Sequence, residues 1–423
     1  MRVARLGAAC TAMVTYAPVR TGVVISGIGC VSAFGTSAAI FTRRLLAGET
    51  GVAPIASFKT DACRSRMAAR ITGFDPAQFV SPLKLRRVDA VGKIALAATS
   101  LALTDAGLRP PANPAAIGMV LGTATAGVEA TGEYLESLMQ RGPAGAPALM
   151  FASTVGNAAA SLCSLEFGLR GPNTTLTHKE ASSLSAVAYA CDLVRHGRAE
   201  AVLTGGADDI YERYFLVHDW FGVLSPRDDG PEGSRPFDAT RNGFVMGEGG
   251  FVLALEDADA CRARGARAHG EILGWGATSS PEPINAWPGS PNGLASAMRL
   301  ALADAGIAPD DVGAVYASAN GTPELDRTEA DALRDVFGSH AVPVVAIKGA
   351  LGEFGAGGAG ALAAALLCGR EGVVPPTVGW ATPDPACDVA ISTGVRPLDR
   401  PAILVNSFAS GGTNYSVVAR LVP

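Results

Sequence analysis

The sequence predicts an α/β protein with a large buried core. Its 423 residues are 48% hydrophobic and 17% charged, a balance typical of a folded chain rather than a disordered one. Apolar β-type runs alternate with helical patterns, and this order favours mixed, mostly parallel sheets with helices on both faces. The length allows two domains or one large duplicated unit.

Charge and cysteine content argue against several classes of function. The formal net charge of −5 gives no general attraction to nucleic acids or anionic membranes, so neither is an expected partner. The eight cysteines include no CxxC pair, which favours buried thiols in a reducing, cytoplasmic compartment and no metal site. The sequence contains no apolar run of about 18 residues, the length that a transmembrane helix needs. Residues 1–21 are predicted to be a disordered leader.

The first predicted elements are two strands with a long helix between them. Residues 22–27 and 117–122 are apolar, β-type runs. Residues 90–106 form an extended helical pattern, and Gly107 follows directly as a helix stop. This order of strand, helix and strand is the repeating unit of a parallel α/β sheet.

An amphipathic helix is predicted next, at residues 127–139. Val128, Thr131 and Leu135 lie three and four positions apart, so they share one face of this helix. The face combines two apolar side chains with a small polar one.

Residues 171–195 predict a strand, a tight corner and a buried helix. The run at 174–177 is β-prone, and residues 181–194 are small and apolar with no glycine or proline among them. Glu180 occupies the corner, at or just before the helix N-terminus, where negative charge is favoured. Many enzymes display a nucleophile at a corner of this kind.

The most distinctive stretch is residues 225–250, a loop rich in Gly, Pro, Asp and Asn that leads into a strand at 251–255. It contains the sequences RPFD at 235–238 and NGFVMGEG at 242–249. Further strands are predicted at 200–206, 268–275, 313–317, 344–348, 388–392 and 403–407.

The corner and the two loop motifs resemble the β-ketoacyl synthases, the condensing enzymes of the thiolase-like superfamily. The resemblance extends from about residue 22 to the C-terminus. It implies a duplicated five-layer αβαβα fold, with one half at 22–256 and the other at 257–423. It implies no cofactor.

The resemblance also implies that the reactive groups of an active synthase are replaced here. Active members have a cysteine at the corner and two histidines, which assist decarboxylation of the malonyl extender and stabilise the carbonyl oxyanion. The matching positions in this sequence are Glu180, Asn320 and Glu353, while Lys348 retains a lysine of the family. A carboxylate is a weak acyl acceptor, because the mixed anhydride that it forms is short-lived.

Three other positions can be compared with the family pattern, of which two match it and one departs from it. Asp326 and Glu329 stand where the family keeps acidic residues. Ser410 replaces a gating phenylalanine in a glycine-rich loop near the C-terminus. Reactive positions have therefore changed while the fold-specific loops remain.

This profile is similar to the chain-length-factor, or ketosynthase-β, subunits of type II polyketide synthases. The sequence is accordingly predicted to be a non-catalytic subunit of an acyltransferase complex. It would pair with a catalytic ketosynthase, meet an acyl carrier protein whose phosphopantetheine holds the acyl chain, and shape the acyl tunnel. Typical members carry glutamine at the corner, so glutamate is a departure.

Two enzymatic alternatives stay open, namely a malonyl-carrier-protein decarboxylase that primes synthesis and an atypical synthase that uses Glu180. A stand-alone binding protein is a further one. By the resemblance, Ser410 and the helix face of Val128, Thr131 and Leu135 line the tunnel, although core packing explains that face equally well.

Overall fold

The computed structural model describes residues 22–86, 88–108, 116–338 and 342–422. The predicted leader, 1–21, lies outside these ranges. The strands are, in chain order, β1 (Val23–Ser32), β2 (Val52–Pro54), β3 (Met67–Ala69), β4 (Ile117–Gly122), β5 (Asn173–Leu176), β6 (Ala201–Asp208), β7 (Met246–Gly247), β8 (Gly249–Asp257), β9 (Gly270–Ser279), β10 (Val312–Tyr316), β11 (Val344–Val345), β12 (Val373–Val374), β13 (Arg396–Pro397), β14 (Ala402–Phe408) and β15 (Thr413–Leu421).

The helices occupy most of the segments between the long strands. They are α1 (Ala38–Leu46), α2 (Pro82–Leu85), α3 (Ala90–Ala106), α4 (Val128–Arg141), α5 (Ala158–Phe167), α6 (Ser182–Arg195), α7 (Glu212–Trp220), α8 (Ala258–Ala263), α9 (Asn292–Ala305), α10 (Pro323–Phe337), α11 (Lys348–Leu351) and α12 (Gly357–Arg370). Within the described ranges, none of them is both long and apolar enough to cross a membrane.

Helix α3 shows why the local predictions succeed. The Asp89 side chain accepts a hydrogen bond from the Gly92 N–H and so caps the first turn. Gly107 ends the helix with a left-handed φ of 62°, which glycine adopts without steric cost. The observed bounds of α3 are the predicted ones.

Ten strands form one sheet, in which the same strand order occurs twice. The first unit runs β1-β8-β6-β4-β5 and the second runs β9-β15-β14-β10-β11. In each unit the order is first, last, fourth, second and third strand, with matching parallel and antiparallel pairs. The units join through an antiparallel contact between β1 and β9. Duplication is therefore visible in the topology, although the predicted division at residues 256 and 257 remains a prediction.

The elements stack in five layers. Helices α6 and α12 lie between the two halves of the sheet and supply the central apolar cluster. Helices α3 and α5 cover the outer face of the first half, and α9 and α10 cover that of the second. Alternate residues of β8 face the two sides: Phe251 and Leu253 join the central cluster, and Val252 joins an outer one. This confirms the predicted layered α/β fold.

The sheet is mixed as predicted, but parallel pairs are not in the majority. Among its described strands, five neighbouring pairs are antiparallel and four are parallel. The last strand of each unit is antiparallel to both of its neighbours. The first strands of the two units, β1 and β9, are also antiparallel to each other. A pattern of alternating strands and helices along the chain does not reveal these directions.

Two of the predicted strands need correction. Residues 388–392 form no strand beyond a single bridge of Ile391 to Val344, because Val389 N–H and Ile391 N–H bond carbonyls only two residues back. The apolar side chain of Ile391 instead packs into the outer cluster of the second half. The strand predicted at 344–348 ends at Val345, since a short helix begins at Lys348.

Candidate functional site

The chain turns sharply between β5 and α6, and this corner carries Glu180. A 3-10 turn, Lys179–Ala181, connects the two elements. Lys179 has a positive φ of 48°, a strained conformation for a residue with a side chain. The Ser182 hydroxyl fixes the turn by accepting the His178 N–H at 2.8 Å and donating to the Lys179 carbonyl at 2.6 Å. Glu180 thus lies just before the start of α6, as predicted.

The Glu180 carboxylate is held by the loop between β14 and β15. Ser410 donates its backbone N–H to Oε2 at 3.1 Å and its hydroxyl to Oε1 at 3.1 Å. The Ser407 hydroxyl donates to the Glu180 carbonyl at 2.9 Å. Lys179 Nζ donates to the Ser410 hydroxyl at 3.3 Å. The corner and the C-terminal loop, 230 residues apart, therefore form one hydrogen-bonded unit.

Asn320 and Glu353, the two positions predicted to match the family histidines, lie together in a buried polar network. Glu353 Oε2 is 2.7 Å from Lys348 Nζ and accepts the Asn320 side-chain N–H at 2.7 Å. Lys348 also donates to the Ser318 carbonyl at 2.9 Å. Burial raises the pKa of Glu353 to about 7, with Lys348 opposing the rise and Glu180 adding to it. The network joins a lysine and a glutamate of opposite charge.

Asp326 and Glu329 hold the backbone beside this network. Asp326 accepts the N–H groups of Asn320 at 3.0 Å and Phe237 at 2.8 Å. Glu329 accepts the Ser318 N–H at 2.9 Å. Both carboxyls are buried, and each accepts a backbone N–H from the segment that carries Asn320.

A cavity of about 400 Å³ opens beside the corner. Glu180, Glu353 and Ser410 line it together, so the structure brings these three predicted positions to one place. Asn320 and Lys348 do not line the cavity; they lie behind Glu353 and bind its carboxylate.

Sequence reasoning missed three residues with ionisable side chains on the cavity wall: Asp209, Tyr214 and His218. Asp209 directly follows Asp208, the last residue of β6. Two adjacent acids at the end of an apolar strand are a sequence signal that could have indicated a functional position. Tyr214 and His218 lie one turn apart on α7 with ring centroids 4.4 Å apart. Burial lowers the pKa of His218, and its Nδ1 lies 2.8 Å from the Tyr214 carbonyl.

The predicted tunnel residues of α4 lie elsewhere in the single chain. Val128 and Leu135 are 43% and 48% exposed, so the alternative that this face belongs to the core of the chain is wrong for both. The Thr131 hydroxyl donates to the carbonyls of Gly127 at 2.6 Å and Thr154 at 3.1 Å. None of the three α4 residues lines the cavity that holds Ser410.

The site offers little support for acyl transfer. The corner presents a carboxylate that already accepts two hydrogen bonds, where a thiol would have to attack a thioester. Glu353 places a second carboxyl group on the wall of the same cavity.

Comparison with known proteins identifies the family. The family model described as "Beta-ketoacyl synthase, N-terminal domain" matches residues 20–260, and "Beta-ketoacyl synthase, C-terminal domain" matches residues 269–381. The tetracenomycin polyketide synthase ketoacyl synthase beta subunit of Streptomyces glaucescens is 36% identical, over 94% of this chain and 98% of that protein.

Two further similarities extend over almost the whole chain. The 3-oxoacyl-[acyl-carrier-protein] synthase 2 of Coxiella burnetii is 30% identical, over 94% of this chain and 97% of that protein. The solved structure of the ishigamide ketosynthase/chain length factor superposes with a TM-score of 0.89 and 30% identity, covering 96% of this chain and all of that one. With both family models and these similarities in agreement, the chain belongs to the β-ketoacyl synthase family.

Proposed function

We propose that this chain is a non-catalytic, chain-length-factor subunit that pairs with a catalytic ketosynthase. The observation that supports the proposal is which residues occupy the corner and the two predicted histidine positions, and how they are bound. Glu180 is bound by Ser410, and the two histidine positions are Asn320 and Glu353, locked to Lys348. Each reactive group is replaced, while the residues that shape the fold around it are intact.

The similarity to a ketoacyl synthase beta subunit supports this role. The similarity to 3-oxoacyl-[acyl-carrier-protein] synthase 2 raises the alternative of an ordinary elongating synthase. The chemistry of the corner speaks against that alternative, because neither a thiol nor a hydroxyl stands at position 180.

An activity assay separates these functions. The purified chain is incubated with acyl and malonyl carrier proteins, and adducts are sought by intact mass. We expect neither a covalent acyl adduct nor a ketoacyl product nor loss of carbon dioxide from the malonyl group. A stable adduct on Glu180, or product above a blank, would establish an active enzyme. Release of carbon dioxide alone would favour the priming decarboxylase.

The proposed partners are a catalytic ketosynthase and an acyl carrier protein. The ishigamide complex, named as a ketosynthase/chain length factor, supports the first. Obligate interfaces of this kind commonly bury more than about 2,000 Å². Co-expression with its catalytic ketosynthase should give one heterodimer on size exclusion. A chain that elutes as a well-behaved monomer and ignores the ketosynthase would contradict the pairing.

The exposed face of α4 is proposed to reach the partner and help form the acyl tunnel. Val128 and Leu135 are large apolar side chains left about half exposed, and Met139 on the same helix is 85% exposed. Covering them with a partner removes that surface from water. If they line the tunnel, their volume limits the length of the acyl chain.

A further inference from the structure

The cavity beside the corner contains an excess of hydrogen-bond acceptors. Glu180, Asp209 and Glu353 reach it from three separate parts of the chain. Among its described lining residues Lys179 is the one with a permanently cationic side chain, and its amino group already donates to Asn285 and Ser410. The His218 Nδ1 lies against a backbone carbonyl, which leaves Nε2 as an acceptor in the neutral ring.

Asp209 gives independent evidence of a missing donor. The residue is 5% exposed and lines the cavity, and its carboxyl group has a hydrogen bond with the Thr125 side chain, but its Oδ1 accepts none from the described residues. Buried polar atoms are nearly always paired, and an unpaired one is costly. Burial, with the charges of Glu129 and Glu248, raises the pKa of Asp209 to about 8. A cation in the cavity would relieve this crowding and favour the ionised carboxylate.

Aromatic rings complete the wall. Phe221, Phe244 and Trp287 line the same cavity as the carboxyl groups. The faces of such rings attract cations, and carboxylates beside aromatic rings are the usual chemistry of an organic ammonium site. The described residues contain no group of three or more His, Cys, Asp or Glu side chains placed to hold a metal ion. The walls therefore suit an organic cation better than an inorganic one.

We propose that this cavity binds a small organic cation with primary ammonium groups, which Asp209 and Glu180 recognise through charge-assisted hydrogen bonds. The carbon skeleton packs on the rings of Phe221, Phe244 and Trp287. This binding does not depend on the subunit role proposed above, because it concerns a cavity within this one chain.

The probe is 1,4-diaminobutane, with 1,4-butanediol as a neutral control of the same length. Both are titrated into the purified full chain, or its complex with the ketosynthase, by isothermal calorimetry at constant ionic strength. We expect saturable binding of the diamine and none of the diol at the same concentrations. Sodium chloride at matched ionic strength controls for general screening.

Two variants locate the binding. Asp209→Asn should weaken the affinity for the diamine about ten- to a hundredfold, as expected when one charge-assisted hydrogen bond is lost. Glu371→Gln removes an exposed carboxylate that does not line the cavity, and it should leave the affinity unchanged. If Asp209→Asn does not fold, Glu180→Gln serves as the test variant, with the same expected weakening.

Three results would overturn the proposal. One is the absence of saturable diamine binding to the wild type. Another is equal binding of the diol, which would show that charge is not recognised. The third is undiminished binding by whichever cavity variant folds. None of these results bears on whether the chain condenses acyl groups, so the proposed subunit role is tested separately.

Discussion

Replacing Lys348 with methionine should destabilise the chain strongly, because Glu353 then loses its counter-ion in a buried place. Lys348 Nζ lies 2.7 Å from Glu353 Oε2, and the two side chains are 5% and 3% exposed. Breaking a buried ion pair at one end costs about 3–5 kcal/mol. We expect Lys348→Met to lower the free energy of unfolding by about this amount at pH 8.

The size of the effect should depend on pH. The folded-state pKa of Glu353, about 7, lies above its ordinary value of 4.5, so the folded chain holds this proton more tightly than the unfolded chain does. Its contribution to stability therefore falls as pH rises from about 4.5 through about 7. Without Lys348 the pKa of Glu353 rises further, so the contribution of Glu353 to stability keeps falling up to a higher pH. The deficit of Lys348→Met should consequently be smaller at pH 6 than at pH 8.

Urea unfolding at both pH values measures these differences. Arg227→Met is the matched control, since it breaks the ion pair with Glu324, whose side chains are 36% and 52% exposed. A surface pair of this kind is worth less than about 1 kcal/mol. The double variant Lys348→Met/Glu353→Leu should recover most of the lost stability, because no unpaired charge remains.

The reasoning would be refuted if Lys348→Met unfolded within about 1 kcal/mol of the wild type at pH 8 with an unchanged urea dependence. It would also be refuted if the double variant were no more stable than the single one. Either result would mean that Lys348 does not stabilise the folded chain by neutralising the buried carboxylate of Glu353.

Three further predictions concern the whole chain, the corner and α4. Burial raises the pKa of Asp209 to about 8 and that of Glu329 to about 7, so the melting temperature should be higher at pH 6 than at pH 8; a flat profile between these values would contradict it. Glu180→Cys alone should restore no condensation, since Glu353 still opposes the developing charge; ketoacyl product from this single variant would disprove our account of the histidine positions. Leu135→Ala, at a side chain that is 48% exposed, should change the unfolding free energy of the single chain by less than about 1 kcal/mol. The same variant should lengthen the products of the reconstituted pair, and unchanged lengths would remove α4 from the tunnel.

Local chemistry explains which elements the sequence predicts well. The bounds of α3 follow from an Asp cap and a Gly stop, both of which act within one turn. The corner at Glu180 was predictable for the same reason, because a β-prone run and a buried helical run meet there. The prediction of a strand at 388–392 failed because an apolar run can pack into the core with only a single bridge to a sheet, as Ile391 does.

The sequence by itself determined the α/β class and the corner, and it predicted which residues occupy the reactive positions. Only the tertiary structure decided the strand directions, the ion pair of Glu353 with Lys348 and the hydrogen bonds from Ser410 to Glu180. It also placed Asp209 on the cavity wall and left Leu135 exposed. The physical reason is range: a cap or a periodic stripe acts over a few residues, whereas Glu180 and Ser410 are 230 residues apart and meet only when both halves of the sheet have closed around α6 and α12.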